Sequence, residues 1–325
     1  SVQSLPVSAL ETAVSELIGQ DIGDQVPVYL QAWGGHGGQG GGVQDPRNLC
    51  CTAAPGNGGQ QGNARTSMTF GNLSADFPTL SLYVGANGVH GTDLENDNPS
   101  GNCLATGAGQ PGGGGAATLV LSQPLSAETE FAGVLLIAGG GGGGGQGLCS
   151  GNISLKGLKA EPGPVAIATT SGAVSAADPD KSSGGDGNGG CRTGVTCGAD
   201  GIGGLGGGSV DNPMTGWIGT SSTWSQGQGG HSSGFVNEQT VAEGGAGGGG
   251  FGGGGVGKFT LNTQLRGGGS GGSYAAQATL NDSGAPVASN PTSDSGSVVI
   301  SLDVCLTYPS IAACQSSSVS NADRR

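Results

Sequence analysis

The apolar residues of this chain come in short clusters separated by long stretches of glycine and small polar residues, and the clusters have the length and make-up of β-strands. Residues 28–33, 80–84, 118–121, 134–138, 165–169 and 298–302 are rich in Val, Ile, Leu, Thr and aromatic side chains. Gly, Asn, Asp, Pro or Ser bounds them, the pattern of strands that end in turns. The opening segment differs. Val7, Leu10, Val14, Leu17 and Ile18 recur at the spacing of one helical face, Ser8 and Glu11 have the spacing of a capping box, and Gly19 stands where a helix would stop. Residues 1–24 are therefore expected to form one amphipathic helix, which either covers the apolar edge of the following sheet or docks on a neighbouring subunit.

Between the strands lies glycine. Tracts follow the strands directly at 34–42, 85–91 and 139–145, one precedes a strand at 107–115, and others fall at 184–190, 198–208, 227–230, 244–257 and 267–272. The chain of 325 residues holds 74 glycines, more than three times the roughly 7 % of an average protein. Such a backbone is costly to order, because glycine loses more conformational freedom on folding than any other residue. Collagen is excluded, since no Gly-X-Y period is sustained and there are only 15 prolines. A helical bundle is excluded too, because interior glycine costs a helix about 1 kcal/mol per position. An ordered glycine tract that is neither helical nor pleated has one good conformation, an extended threefold helix rising about 3.1 Å per residue. That helix has no internal hydrogen bonds, so neighbouring tracts must satisfy one another. The expected fold is mainly β: an antiparallel sandwich or sheet layer packed against a raft of polyglycine-II helices, with one short N-terminal α-helix.

Eight cysteines, Cys50, Cys51, Cys103, Cys149, Cys191, Cys197, Cys305 and Cys314, form an even set without a CxxC pair, which favours disulfides over zinc and an oxidising compartment. Short loops suggest Cys191 with Cys197 and Cys305 with Cys314. The adjacent Cys50 and Cys51 are expected to reach two different distant partners, with Cys103 and Cys149 as the candidates. A net charge of −13 with only 10 Lys and Arg opposes binding to nucleic acid or to an anionic membrane surface, which need clustered cations. No signal segment opens the chain and the longest apolar run, 133–138, is far too short to cross a membrane, so the sequence reads as mature secreted protein, extracellular or at a cell surface. Asn72, Asn152 and Asn281 each head an N-x-S sequon and are candidate glycosylation sites.

Catalytic chemistry is hard to find. Residues 252–258 read GGGGVGK, but Phe259 follows where a phosphate loop needs Ser or Thr. Gly268, Ser270 and Gly272 match G-x-S-x-G without the helix pattern that a nucleophile elbow requires. His36, His90 and His231 lack metal-type spacing. Asp93, Glu95 and Asp97, with Asn98, alternate oxygen-bearing side chains as calcium loops do, and Asp178, Asp180 and Asp186 form a looser set; neither has the EF-hand spacing, and the alternative is a solvated loop. Calcium is the one cofactor the sequence raises, and an enzyme is not expected.

The order of strands and tracts resembles the glycine-rich domain of the anaplastic lymphoma kinase and leukocyte tyrosine kinase receptors, and related modules of secreted bacterial proteins and phage adhesins. The matching stretches are VPVYLQAWGGHGGQGGG at 26–42, LSLYVGANGVHG at 80–91, GGGGAATLVL at 112–121, GVLLIAGGGGGGGQG at 133–147, GGAGGGGFGGGGVG at 244–257 and DSGSVVISL at 294–302. The resemblance implies antiparallel strands against a lattice of polyglycine helices. It carries over no activity, because there is no kinase, membrane span or EGF-like cysteine module here, and fold alone does not confer function. Residues 1–24 are then a docking segment, 25–304 the glycine-rich β domain and 305–325 a disulfide-bonded tail. The expected role is an extracellular structural protein, the repeating subunit of a filament or surface layer, self-associating into a homopolymer. The other reading is a secreted or ectodomain binding module, an adhesin or receptor-like binder of a glycan or protein, with Trp217, Trp224 and Tyr274 as aromatic anchors.

Overall fold

The computed structural model describes residues 2–45, 51–95, 106–124, 133–150, 153–156, 167–168, 174–175, 234–236, 240–242, 245, 247–249, 267–269, 271, 273–275, 295–311 and 314. In chain order the first half forms β1 (Val2–Pro6), α1 (Val7–Ile18), β2 (Pro27–Trp33), β3 (Val43–Gln44), β4 (Asn63–Thr69), α2 (Phe70–Asp76), β5 (Thr79–Tyr83), β6 (Leu94–Glu95), β7 (Thr106–Ala108), β8 (Thr118–Leu121) and β9 (Val134–Ala138). There follow β10 (Leu148–Ser150), β11 (Ile153–Leu155), β12 (Ile167–Ala168), β13 (Val174–Ser175), β14 (Gly234–Val236), β15 (Thr240–Ala242), β16 (Tyr274–Ala275), β17 (Ser297–Leu302) and a last helical turn, Val304–Thr307. The fold is mainly β, and no helix among the described residues is long and apolar enough to cross a membrane.

Two antiparallel sheets carry the core. One has five strands in the order β1-β5-β8-β9-β16, the other three in the order β17-β2-β4. In β2 the alternation of PVYLQAW sends Val28, Leu30 and Ala32 inward, and all three are fully buried. In β9 the run VLLIA is continuous rather than alternating, because every one of its residues is buried, as happens to a strand covered on both faces. Side chains of both sheets join in one cluster: Val28, Leu30 and Ala32 of β2, Leu80 and Leu82 of β5, Val120 of β8, and Leu135, Leu136 and Ala138 of β9. Val7 of α1 and Phe70, Leu73 and Phe77 in and beside α2 close over it. A small second cluster of Val43, Ala53 and Cys149 lies apart from it.

The N-terminal segment departs from its sequence reading. Residues 2–6 are not helical; they form β1, the outer strand against β5, in the register Val2↔Tyr83 to Pro6↔Thr79. Pro6 is extended (φ −63°, ψ 130°) and takes the N-cap position with no side-chain cap, so the Ser8–Glu11 capping box does not form. The physical reason is that Pro6 biases Leu5 toward extended backbone and its fixed φ suits the entry to a helix, so the helix begins at Val7, two residues before a Ser8 cap would start it. The C-terminal end follows expectation: Gly19 adopts φ 72° and its N–H reaches the Ser15 carbonyl at 2.9 Å. The expected face is only partly used. Val7 is buried and Leu10 and Val14 pack against the core, while Leu17 is 82 % exposed.

The segment between α1 and β2 is tied to the C-terminal end of the described chain by the Tyr308 side chain. The hydroxyl of Tyr308 accepts the Gly23 N–H at 2.6 Å and donates to the Asp21 carbonyl at 3.4 Å. Removing it with Tyr308→Phe leaves the Gly23 amide without its acceptor, and we expect a loss of about 1–2 kcal/mol, read from urea denaturation. A loss below about 0.3 kcal/mol would show that water replaces the tie at no cost.

Candidate functional site

The glycine tracts are organised by hydrogen bonds that repeat every third residue. Gly34, Gly37 and Gly40 donate to the carbonyls of Gly62, Gly59 and Gly56 at 3.1, 3.0 and 2.9 Å, an antiparallel pairing. Gly35, Gly38 and Gly41 donate to Ala116, Gly113 and Gln110 at 2.9, 2.8 and 2.6 Å, again antiparallel. The third row, His36, Gln39 and Gly42, donates to side chains: Asn87 Oδ1 at 2.8 Å, His90 Nδ1 at 3.1 Å and Asp93 Oδ1 at 2.6 Å. Every N–H from Gly34 to Gly42 thus has a partner outside its own tract, as an ordered buried backbone requires. In return Gly88, Gly91 and Leu94 donate to the carbonyls of His36, Gln39 and Gly42.

Tract 139–147 lies deepest, and all its residues are buried. Its carbonyls take bonds from several neighbours. Residues 139, 142 and 145 accept from Gly62, Gly59 and Gly56; residues 141, 144 and 147 accept from Gly115, Gly112 and Gly109; Gly140 and Gly143 accept from Gly271 and Gly268. Its own Gly141, Gly144 and Gly147 donate to Gly35, Gly38 and Gly41 at 2.8 Å. Glycine is obligatory because neighbouring backbones approach where a Cβ would sit. A Cβ on Gly37 would lie 1.8 Å from the Gly142 oxygen, and one on Gly38 2.1 Å from that of Val89, against the roughly 3.5–4.0 Å of an ordinary carbon contact.

Side chains appear where a tract lacks a neighbour. Tract 34–42 carries His36 and Gln39 at three-residue spacing. Tract 85–93 keeps Gly85, Gly88 and Gly91 on its inner row, where a Cβ would meet the carbonyls of Ala116, Gly113 and Gln110 at 2.2, 2.0 and 2.0 Å, and bears side chains at the other positions, Val89 among them at 79 % exposure. Asn87, His90 and Asp93 form a ladder of acceptors along that outer tract. Sequence reading did not find it, although the spacing N-x-x-H-x-x-D was there to see.

At one end of the tracts lies an open groove of about 640 Å³, whose lining includes Gln39, Gln44, Asp45, Thr52, His90 and Asp93. Asp93, a calcium candidate from the sequence, spends one carboxylate oxygen on the Gly42 N–H and the other on the Gln44 side-chain amide. Glu95 is exposed at the end of β6, which pairs in parallel with β3; Asp97 lies outside the described residues. No group of three or more His, Cys, Asp or Glu side chains able to hold a metal occurs among the described residues. Beside the groove Cys51 is bonded to Cys149 with Cα atoms 5.9 Å apart, and farther along the chain Cys305 is bonded to Cys314. Both pairs are among those the sequence suggested. Cys50, Cys103, Cys191 and Cys197 lie outside the described residues, as do Asn152, Asn281, His231, Ser270, Trp217, Trp224, the 252–258 segment and the Asp178 set. Asn72 is exposed near the start of α2, where its N–H bonds the Thr69 hydroxyl at 3.3 Å.

No protein-family model matches the chain, and no curated protein matches it.

Proposed function

We propose that this chain is an extracellular structural protein, the repeating subunit of a filament or surface layer, built as an antiparallel β-sandwich packed on a raft of polyglycine-II helices. The observation that carries the reading is the three-residue hydrogen-bond repeat that joins the tracts at 34–42, 56–62, 85–94, 109–116 and 139–147. A repeat of three with all bonds between segments is what a threefold extended helix requires. Such a body is rigid and poor in functional side chains, which suits a building unit better than a catalyst. The disulfides and the acidic net charge of −13 fit an oxidising, extracellular setting. The same architecture is what the resemblance to receptor and adhesin glycine-rich domains implies.

Light scattering with negative-stain microscopy on unreduced protein from its source tests this. Polymers of regular repeat are expected; a monodisperse particle near 31.0 kDa would overturn the filament reading. In that case the polar groove at Gln39, Gln44, His90 and Asp93 favours the second reading, a binding module, and a glycan array becomes the informative experiment.

A further inference from the structure

We propose that β1 and α1 are an exchangeable arm, and that the edge of β5 is a docking slot for the arm of a second copy of this chain. The proposal rests on the filament reading and specifies its joint. β1 touches the body through one sheet edge: five antiparallel register pairs from Val2↔Tyr83 to Pro6↔Thr79, extended by the Val7 N–H on the Pro78 carbonyl at 3.0 Å. The slot needs a strand. Leu80 is fully buried and Leu82 nearly so, and without a partner strand β5 would present an unpaired apolar edge, which proteins avoid. Every contact that an arm makes with this slot is equally available to the arm of a neighbour, so exchange conserves the contacts, the condition under which swapping is a low-cost route to assembly.

The arm is also built to leave. Between α1 and β2 the chain turns at Gly19, where an added Cβ would meet nothing within 4 Å, and at exposed Gln20; it is held to the body only beyond them, by buried Ile22 and by the bonds of Asp21 and Gly23 to Tyr308. Straightened, a five-residue strand spans about 17 Å and a twelve-residue helix about 18 Å, which sets how far the arm extends from its own body. Docked in place, α1 is poorly covered: Val7 is its one buried residue, and Leu17 stands 82 % in water. Because the plug and the slot are different surfaces, each copy offers both, and the contact propagates head to tail.

A cysteine placed on each side of the joint reads out which chain supplies the strand. Ser4 and Ser81 are register partners, and directly opposed residues of an antiparallel pair have Cα atoms about 4.5–5.5 Å apart, within the range of a disulfide. Ser4 is exposed, and the buried hydroxyl of Ser81 has no hydrogen-bond partner to lose. Chains carrying Ser4→Cys alone are co-assembled with chains carrying Ser81→Cys alone, and the double variant is assembled by itself; all are run without reductant on denaturing gels. The expected results are a covalent dimer of twice 31.0 kDa from the mixture and a ladder of multimers from the double variant, both collapsing to monomer on reduction. If wild-type chains polymerise while the mixture stays monomeric and the double variant closes within one chain or keeps free thiols, the arm proposal is overturned and the filament reading survives. If wild-type chains do not polymerise, the filament reading itself has failed, and the arm with it.

Discussion

A Gly37→Ala variant will lose more than about 4 kcal/mol of unfolding free energy, a range reached by few single substitutions. The added methyl carbon would stand 1.8 Å from the Gly142 oxygen, 2.5 Å from its carbonyl carbon and 3.0 Å from the Gly141 oxygen. All three are backbone atoms of the buried central tract, so no side chain can swing aside, and relief requires moving a segment that is bonded to several others. The Gly37 amide is itself bonded to Gly59 at 3.0 Å, so the displacement also breaks the ladder. Gly19→Ala is the matched control. It adds the same methyl where nothing lies within 4 Å, at φ 72°, and costs only the left-handed backbone penalty of about 1–2 kcal/mol. Denaturant melts of the two variants measure the difference; a Gly37→Ala protein within about 1 kcal/mol of wild type would mean that the tracts are not packed at this separation.

The second large effect belongs to the Cys51–Cys149 bond. Its partners are separated by 98 residues, and in the chain-entropy account a closed loop of that size stabilises by about 4–5 kcal/mol. The Cys305–Cys314 bond spans 9 residues and is worth about 2–3 kcal/mol by the same rule. Paired alanine replacements at each bridge should therefore shift the guanidinium midpoint unequally, with the Cys51/Cys149 variant the more sensitive. Equal shifts would assign the stabilisation to local packing of the bonds, where buried Cys149 meets Val43 and Ala53, rather than to loop closure.

Strands were legible in the sequence wherever burial left a mark on composition. β8 and β9 are continuous apolar runs because both faces are covered, and their bounds in the structure are those the sequence indicated. β1 was hidden by its neighbour: residues 1–24 were read as one helix on the strength of the period that starts at Val7, and Pro6 just before it was the overlooked boundary. A strand whose partner, β5, lies more than seventy residues away leaves no local signature. The tracts were found, but not their register. In GGHGGQGGG the side chains fall at every third position, and in GANGVHGTD it is the glycines that do. Each spacing records how many neighbours a tract has, since a position facing another backbone must be glycine and a position facing outward need not be. Asp93 was raised as a calcium candidate from the spacing of its own acidic cluster, with a solvated loop as the alternative, whereas its hydrogen-bond partners in the fold, the Gly42 amide and Gln44, lie far off in sequence.

The lattice of tracts also decides how the molecule would answer a pull. Strands in a pleated sheet are bonded sideways in one plane, and a sheet loaded across that plane opens one row at a time. The tract at 139–147 is gripped from several directions at once, so drawing it out means shearing every row together. Those grips are neutral amides and carbonyls, which dissolved ions do not screen as they screen charges. Stiffness of this origin carries over unchanged from fresh water to brine.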